Sequence, residues 1–337
     1  MTTMSQNTFN DESLHVGVML LSVIIVNYNG LSFLETCLNA LSRNISCRHE
    51  IIVVDNNSSD GSSEYLVEVW PEVRLIRSPE NLGFAKGNNL GAKHARGRFL
   101  LLLNNDTEIL EPLQPLLDYF EAHPDTAVVG GRLRNPDGSI QASVGYDHTP
   151  LRLLFTWMLL RTCSWFSSWQ IYERRPKFYQ HTHREVHWVS GAFLCIRKRI
   201  WLELAGFDPD IFMYVEDADL CSRVRKRGEK IAFFAGADTC HFEGSGKKGM
   251  TGNALMATVD SYRLLLAKQH SRLLRNLTCG GLALIFFARA MLYLLLGMML
   301  RDPVSKGKAG FYMRGAGRLL WGAPQNVPVR SKRGEMQ

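Results

Sequence analysis

Three carboxylates and one imidazole stand where short apolar runs end or turn. Asp55 follows IIVV in IIVVDNNSSDGS (51–62), and Asp106 closes FLLLLNNDT (99–107). Asp217 lies in FMYVEDADLCSR (212–223), and His241 follows AFFAGADTC. An earlier run, VIIVNYNG (23–30), ends in amides. Buried parallel strands read as such apolar runs, and open α/β sheets bind ligands beyond their carboxyl ends. Carboxylates gathered there, with room for a cation, suit a phosphorylated substrate. A diphosphate leaving group needs its charge neutralised, and Mg²⁺ or Mn²⁺ does so with one or two protein carboxylates plus phosphate oxygens. Asp106 suits that ligand role and Asn104 a ribose hydroxyl, although NND is also turn chemistry. His241 could complete the metal shell through a ring nitrogen, or serve only in packing.

Asp217 suits a general base that deprotonates an attacking hydroxyl opposite the diphosphate, with Glu216 binding or orienting beside it. Acidic residues also favour helix N-termini electrostatically, and a helix is expected over Asp219–Lys226. Asp55 could accept a hydrogen bond from a pyrimidine ring or a ribose, with Asp60 or Ser59 left to cap the following helix. NLGFAKGNNLGAKHARG (81–97) places three glycines on an expected helix, and close approach of a ligand is one reason to keep a bare backbone. Lys86 could reach a phosphate. The histidines His181, His183 and His187 hint at zinc but lack a matching Cys set, and no metal role is assigned to them.

These side chains need strands to deliver them. Apolar runs at 21–26, 50–54, 73–76 and 99–103 alternate with expected helices at 31–41, 62–70 and 83–94. That rhythm implies an α/β fold with a parallel, doubly wound sheet. A helix from Pro112 to His123, a strand at 126–130 and a strand within 185–198 follow. The expected division is a loose polar segment at 1–17, one domain at 18–250 whose pattern changes after 110, and a C-terminal helical region at 251–337.

Composition narrows the setting. The chain of 337 residues is 46% hydrophobic, enough for a large core, and its seven scattered cysteines argue for a reducing compartment. The first residues lack the pattern of a signal peptide. Net charge is +7, and the residues after Leu300 hold eight basic against two acidic side chains. Residues 277–300 are almost wholly apolar and just long enough to span a bilayer, with Arg289 in their middle. A membrane-embedded or in-plane helix with a basic cytosolic flank is expected, the alternative being a buried hairpin. The Trp-rich stretch 151–170 reads as a packing helix or as a surface for lipid or a lipid-linked substrate. Nucleic-acid binding would rest on the tail charge alone, and no nucleic-acid partner is expected.

Taken in order, VIIVNYNG, VVDNNSSDGS, NLGFAKGNNLG, LLLNNDT, VSGAFLCIRK and FMYVEDADLCSRVRKRG resemble the family 2 inverting glycosyltransferases with a GT-A fold. They are most similar to the rhamnosyltransferase branch of bacterial surface polysaccharide synthesis. The resemblance covers residues 20–245 and implies a nucleotide-sugar-binding half at 18–110 and an acceptor half at 111–250. It implies that Asp55 contacts the base, Asp106 fills the metal position of a D-x-D signature, Asp217 is the catalytic base and His241 the trailing metal ligand. The first acidic position of D-x-D is Asn104 here, and FEGSGKK (242–248) matches the usual loop only loosely. The nucleotide-sugar site is expected to draw on Asn27, Asn29, Asp55, Asn81, Gly83, Lys86, Asn88, Asn104 and Asn105. The resemblance further implies dTDP-rhamnose as donor, a polyprenyl-linked saccharide as acceptor and work at the cytoplasmic face of the membrane. A UDP-sugar donor and a non-catalytic nucleotide-sugar-binding protein are the alternatives.

Overall fold

Alternate residues of the central strands are buried towards opposite faces. Ile24, Leu100 and Leu102 join one core, and Val23, Ile25, Leu101 and Leu103 the other. A strand whose two faces are both covered can only sit inside a three-layer α/β sandwich. The computed structural model describes residues 19–158, 169–242 and 252–322. Its strands are β1 (Leu21–Asn27), β2 (His49–Asp55), β3 (Arg74–Arg77), β4 (Phe99–Asn104), β5 (Thr107–Ile109), β6 (Thr126–Arg134), β7 (Ile140–Gln141), β8 (Val144–Gly145), β9 (His183–Glu185), β10 (Trp188–Val189), β11 (Phe193–Arg197) and β12 (Lys230–His241). Its helices are α1 (Leu31–Asn44), α2 (Ser62–Val69), α3 (Gly83–His94), α4 (Gln114–Ala122), α5 (Pro150–Trp157), α6 (Lys198–Glu203), α7 (Glu216–Lys226), α8 (Gly252–Gln269), α9 (Arg272–Met299) and α10 (Pro303–Trp321).

The main sheet runs β3-β2-β1-β4-β11-β6-β12-β5. Its first four strands are parallel, as expected. β11 is antiparallel to both β4 and β6, so the sheet is mixed beyond β4. An apolar run reads the same in either direction, which is why periodicity did not show this reversal. In β1, Asn27 pairs with Asp55, and Val26 with Asn104 of β4. Three strand ends are therefore level, and their polar side chains share one edge.

Two local expectations are corrected. Helix α7 begins at Glu216, three residues before the expected start, so Glu216 and Asp217 lie in its first turn. The residues before it, Tyr214 and Val215, both have positive φ (69° and 61°), a conformation that β-branched residues rarely adopt. The N-cap of α2 is Gly61 in the left-handed region, not Asp60 or Ser59. Asp60 instead accepts from the backbone amides of Leu31 and Ser62, tying the starts of α1 and α2 together.

Two glycines of α3 have a packing role in the fold. A Cβ at Gly87 would lie 2.9 Å from Val26, and one at Gly91 2.5 Å from Ile24. These glycines bring the helix down onto β1. The core beside α3 continues into Leu265, Phe286 and Leu319 of the C-terminal helices.

Residues 277–299 belong to one unbroken helix, α9, which Leu300 caps and which is long and apolar enough to cross a membrane by length and composition. It is neither a hairpin in itself nor free of protein. Arg289 lies at the C-terminus of α5, donating to the carbonyls of Trp157 (2.9 Å) and Met158 (3.2 Å) and to the Tyr312 hydroxyl (3.3 Å). A cation there satisfies carbonyls that the helix end leaves without partners. The far half of the Trp-rich stretch (159–168), the segment 243–251 and the tail beyond 322 lie outside the described residues. Arg289→Leu removes all three hydrogen bonds and is expected to cost about 1–3 kcal/mol in denaturant unfolding. Leu284→Ala on the exposed side of the same helix should cost much less.

Candidate active site

At the edge where β1, β2 and β4 end, the polar side chains organise one another first. Asn27 is fully buried. It donates towards Ser62 Oγ (2.9 Å), Ser58 Oγ (3.2 Å) and Asp55 (3.4 Å), and accepts from Asn105 Nδ2 (2.8 Å). Gly30 makes room for this, since a Cβ there would lie 1.9 Å from Asn105 Nδ2. Asn29, itself at positive φ, bonds Ser58 and Ser59 and shapes the loop after β2. The Asp55 carboxyl also accepts from the Ser58 amide (3.3 Å). Asp55 thus stands at a strand end inside a fully bonded frame.

Asn81 accepts from Asn56 and from the Gly83 amide. Gly83 has φ +75°, and a Cβ on it would lie 2.3 Å from the Phe212 carbonyl. The close approach is to the loop that carries the acidic residues, sealed by Phe84 N donating to Phe212 O (2.9 Å). Asn88 is buried and donates to Phe84 O, while its Oδ1 has no hydrogen-bond partner among the described residues. Lys86 is exposed on the outer side of α3.

Asn104, Asp106 and His241 meet at the end of β4. His241 Nδ1 donates to Gln141 Oε1 (2.7 Å). Its Nε2 accepts from Asn104 Nδ2 (3.1 Å) and lies 3.2 Å from Asp106 Oδ1. With the proton on Nδ1, two electron-rich atoms face each other at that distance, a pair suited to a cation. A separation near 3 Å also suits adjacent ligands of an octahedral ion with bonds of about 2.1 Å. The residues therefore fit Mg²⁺ or Mn²⁺. Among the described residues no group of three or more His, Cys, Asp or Glu is placed to hold a metal ion, and substrate phosphate oxygens would join this pair as ligands. The three histidines that hinted at zinc are dispersed: His181 bonds Arg184, His187 bonds Asp147, and His183 lies tilted against the Tyr119 ring.

Asp217 and Glu216 reach the same edge from α7. Asp217 accepts from the amides of Gly191 (2.9 Å) and Ala218 (2.7 Å). Burial raises its proton affinity above the usual aspartate range, against the pull of those amides. Glu216 is 6% exposed, and its Oε2 has no partner among the described residues. Burial first, and the adjacent Asp217 second, push its pKa well above the carboxylate norm. Asp219, by contrast, pairs with Arg223 (2.8 Å), which also holds the Leu204 and Gly206 carbonyls.

Five structural contributors escaped the sequence reading. Gly191 holds Asp217, and its neighbour Ala192 accepts from the Asn104 amide (3.1 Å). Gln141 fixes His241. Asn89 clamps both backbone groups of Phe207 (2.8 and 2.9 Å), and Ser261 of α8 donates to Met213 O (2.8 Å) beside the strained turn. Each bond spans from 48 to more than 100 residues, except that joining Gly191 to Asp217. Only side-chain type hinted at any of them.

The buried Glu216 makes a stability prediction. Its folded pKa is raised, so the native state is favoured where the group is protonated and loses stability as pH rises past the ordinary glutamate range. Glu216→Gln should therefore raise Tm at neutral pH, and the gain should vanish below about pH 4, where both folded and unfolded wild type are protonated. Thermal melts across pH would check it.

Comparison with known proteins places this geometry. Residues 22–193 match the family model described as Glycosyl transferase family 2. An N-acetylglucosaminyl-diphospho-decaprenol L-rhamnosyltransferase of Mycobacterium tuberculosis is 27% identical over 265 residues, 75% of this chain and 85% of that protein. Among solved structures, GalNAc-T7 with UDP, GalNAc and Mn²⁺ superposes at TM-score 0.56 and 16% identity, over 74% of this chain and 48% of that one. The mannosyltransferase PcManGT of Pyrobaculum calidifontis, with GDP-Man and Mn²⁺, superposes at TM-score 0.52 and 15% identity, over 89% of this chain and 87% of that one. These likenesses establish the GT-A fold.

Proposed function

Because the chain belongs to glycosyl transferase family 2 and is a glycosyltransferase, we propose that it transfers a sugar from a nucleotide diphosphate to a saccharide on a polyprenyl carrier, with inversion at the anomeric carbon. The observation that carries this reading is the Gly191–Ala192 turn. One residue of it bonds Asp217 and the next bonds the strand end that bears Asn104, so a carboxylate of raised proton affinity and the Asp106–His241 pair occupy one edge.

Asp217 is the base. It takes the proton of the acceptor hydroxyl as that oxygen attacks the anomeric carbon from the face opposite the diphosphate, and the bond to the diphosphate breaks. A proton affinity above the usual aspartate range is closer to that required by a base working near neutral pH. Glu216, whose hold on a proton is strengthened by burial beside the base, would when protonated donate a hydrogen bond to an acceptor oxygen. Asp55 would read the nucleotide base, with Asn27, Asn29 and Asn105 bracing its loop. Asn81, Gly83 and Asn88 would lie on the donor side and Asn104 on the ribose side, while Lys86, exposed on α3, would reach a phosphate only by extending its side chain. Asp106 and His241 would hold Mg²⁺ or Mn²⁺, which when bound neutralises the charge of the diphosphate.

The donor is proposed to be dTDP-rhamnose, on the similarity of NLGFAKGNN to enzymes that use it and on the L-rhamnosyl transfer named for the mycobacterial relative. That relative's name also supports a polyprenyl diphosphate acceptor. Work on such a lipid would place the protein on the cytoplasmic face of the membrane, where the nucleotide sugar is.

Asp217→Asn should lower turnover about a thousandfold while leaving donor binding by calorimetry near normal; near-normal turnover would remove Asp217 from the base role. The base must be ionised, so kcat/KM in the wild type should rise with pH through a limb above the ordinary aspartate range. Turnover of a panel of dTDP- and UDP-sugars with membrane lipid extract identifies the donor, and product from a UDP-sugar alone would discard rhamnose. Gln141→Leu frees the His241 ring and should weaken Mn²⁺ affinity about 10–100-fold in a direct titration.

A further inference from the structure

Helix α9 carries an apolar stripe that is exposed among the described residues. Leu273, Leu277, Leu284, Met291, Leu295 and Met298 recur at helical spacing along it, and Leu277 and Leu284 are 64% and 72% exposed. The opposite side, with Cys279, Leu282, Ala283, Phe286 and Ala290, is buried in protein. From Leu273 to Leu300 the stripe runs about 40 Å, far longer than an isolated apolar patch on a soluble surface.

Resting on the membrane association proposed above, we infer that α9 lies flat in the interfacial layer of one leaflet, stripe inward, and does not cross the bilayer. The neighbouring elements decide against a span. α10 returns along α9 for much of its length: Gly297 packs on the Lys306 backbone, and Gly315 on Phe286. Arg314, next to Gly315, is therefore level with the midpoint of α9, and Arg289 lies one turn away. Behind them Arg318 pairs with Asp260 of α8 (2.6 Å). A transmembrane α9 would carry these charges, and the α5 carbonyls bound to Arg289, into hydrocarbon. In the flat orientation all of them stay on the protein side.

The occupant of the stripe is a phospholipid surface bearing anionic headgroups. Between Arg272 and Leu300 there is no acidic residue. Arg272 and Arg275 stand at one end of α9, and Arg301, Lys306 and Lys308 at the other. Basic ends with an apolar middle match the two layers of an anionic leaflet. A second copy fits less well, because stacking two stripes in either direction sets cations against cations.

The test uses the full-length chain in sealed inside-out vesicles from expressing cells, with single cysteines introduced at Arg301 and at Glu72 and a membrane-impermeant maleimide; the wild type is the blank. In the flat orientation, R301C and E72C label alike before permeabilisation. If R301C is protected where E72C is not, α9 spans and the inference fails. If both are protected, the domain lies on the other face, which overturns the cytoplasmic location but not the flat helix. In parallel, purified chain is floated with phosphatidylcholine vesicles with and without phosphatidylglycerol. Binding should favour the anionic vesicles, and L277D/L284D/L295D should bind at least about tenfold more weakly with an unchanged melt. Undiminished flotation of that variant overturns the inference. So does a wild-type dimer that binds no vesicles and that the variant turns into a monomer. Neither assay involves a sugar, so a wrong donor or acceptor leaves both readouts intact.

Discussion

The site depends on one short backbone turn. Between β10 and β11 the amide of Gly191 points at Asp217, while the carbonyl of Ala192 accepts from Asn104 at the end of β4. The turn thus joins a helix N-terminus to a central strand end. Its small residues are required by the space. A Cβ at Gly191 would lie 3.0 Å from Phe84, on the glycine-rich helix, and 3.8 Å from Asp217 Cβ. Three segments distant in sequence are pressed together there, and the raised proton affinity of Asp217 follows from the burial this produces.

The rest of the fold secures that junction. The parallel strands bring Asn27, Asp55 and Asn104 to one level. The 207–215 loop is held by Asn89, Phe84 and, from the C-terminal helices, Ser261. Those bonds hold Tyr214 and Val215 at positive φ immediately before the acidic pair. Strain of this kind persists where surrounding contacts over-determine it, and active sites are where it collects. The C-terminal helices are accordingly part of the machinery: Lys268 pairs with Asp208 and Asp210 of the same loop. Whatever surface α9 rests on is mechanically joined to the loop that presents Asp217.

Much of this was legible in the sequence because it is local. The apolar runs gave the strands, and abrupt polar endings gave Asp55, Asp106 and His241. Helix α3 was bounded at both ends, Gly83 and His94, by its own composition. What was not legible is relational. The antiparallel direction of β11 leaves no mark on its own residues. The start of α7 was misplaced because positive φ at Tyr214 and Val215 is imposed by neighbours rather than by propensity. The close approach of Gly87 and Gly91 in α3 to β1 is likewise set by residues distant in sequence. Arg289 looked like an obstacle within an apolar helix until the end of α5 was set beside it.

The account rests on Asp217 acting as a single base opposite the diphosphate, and the stereochemistry of the product tests this most directly. Proton NMR of a turnover mixture would read the anomeric configuration of the donor sugar and of the newly formed linkage. Inversion is the predicted result, because one displacement assisted by one base reverses that centre. Retention would contradict the account: it requires two displacements or attack from the leaving-group face, and would leave Asp217 without the role that its position suggests.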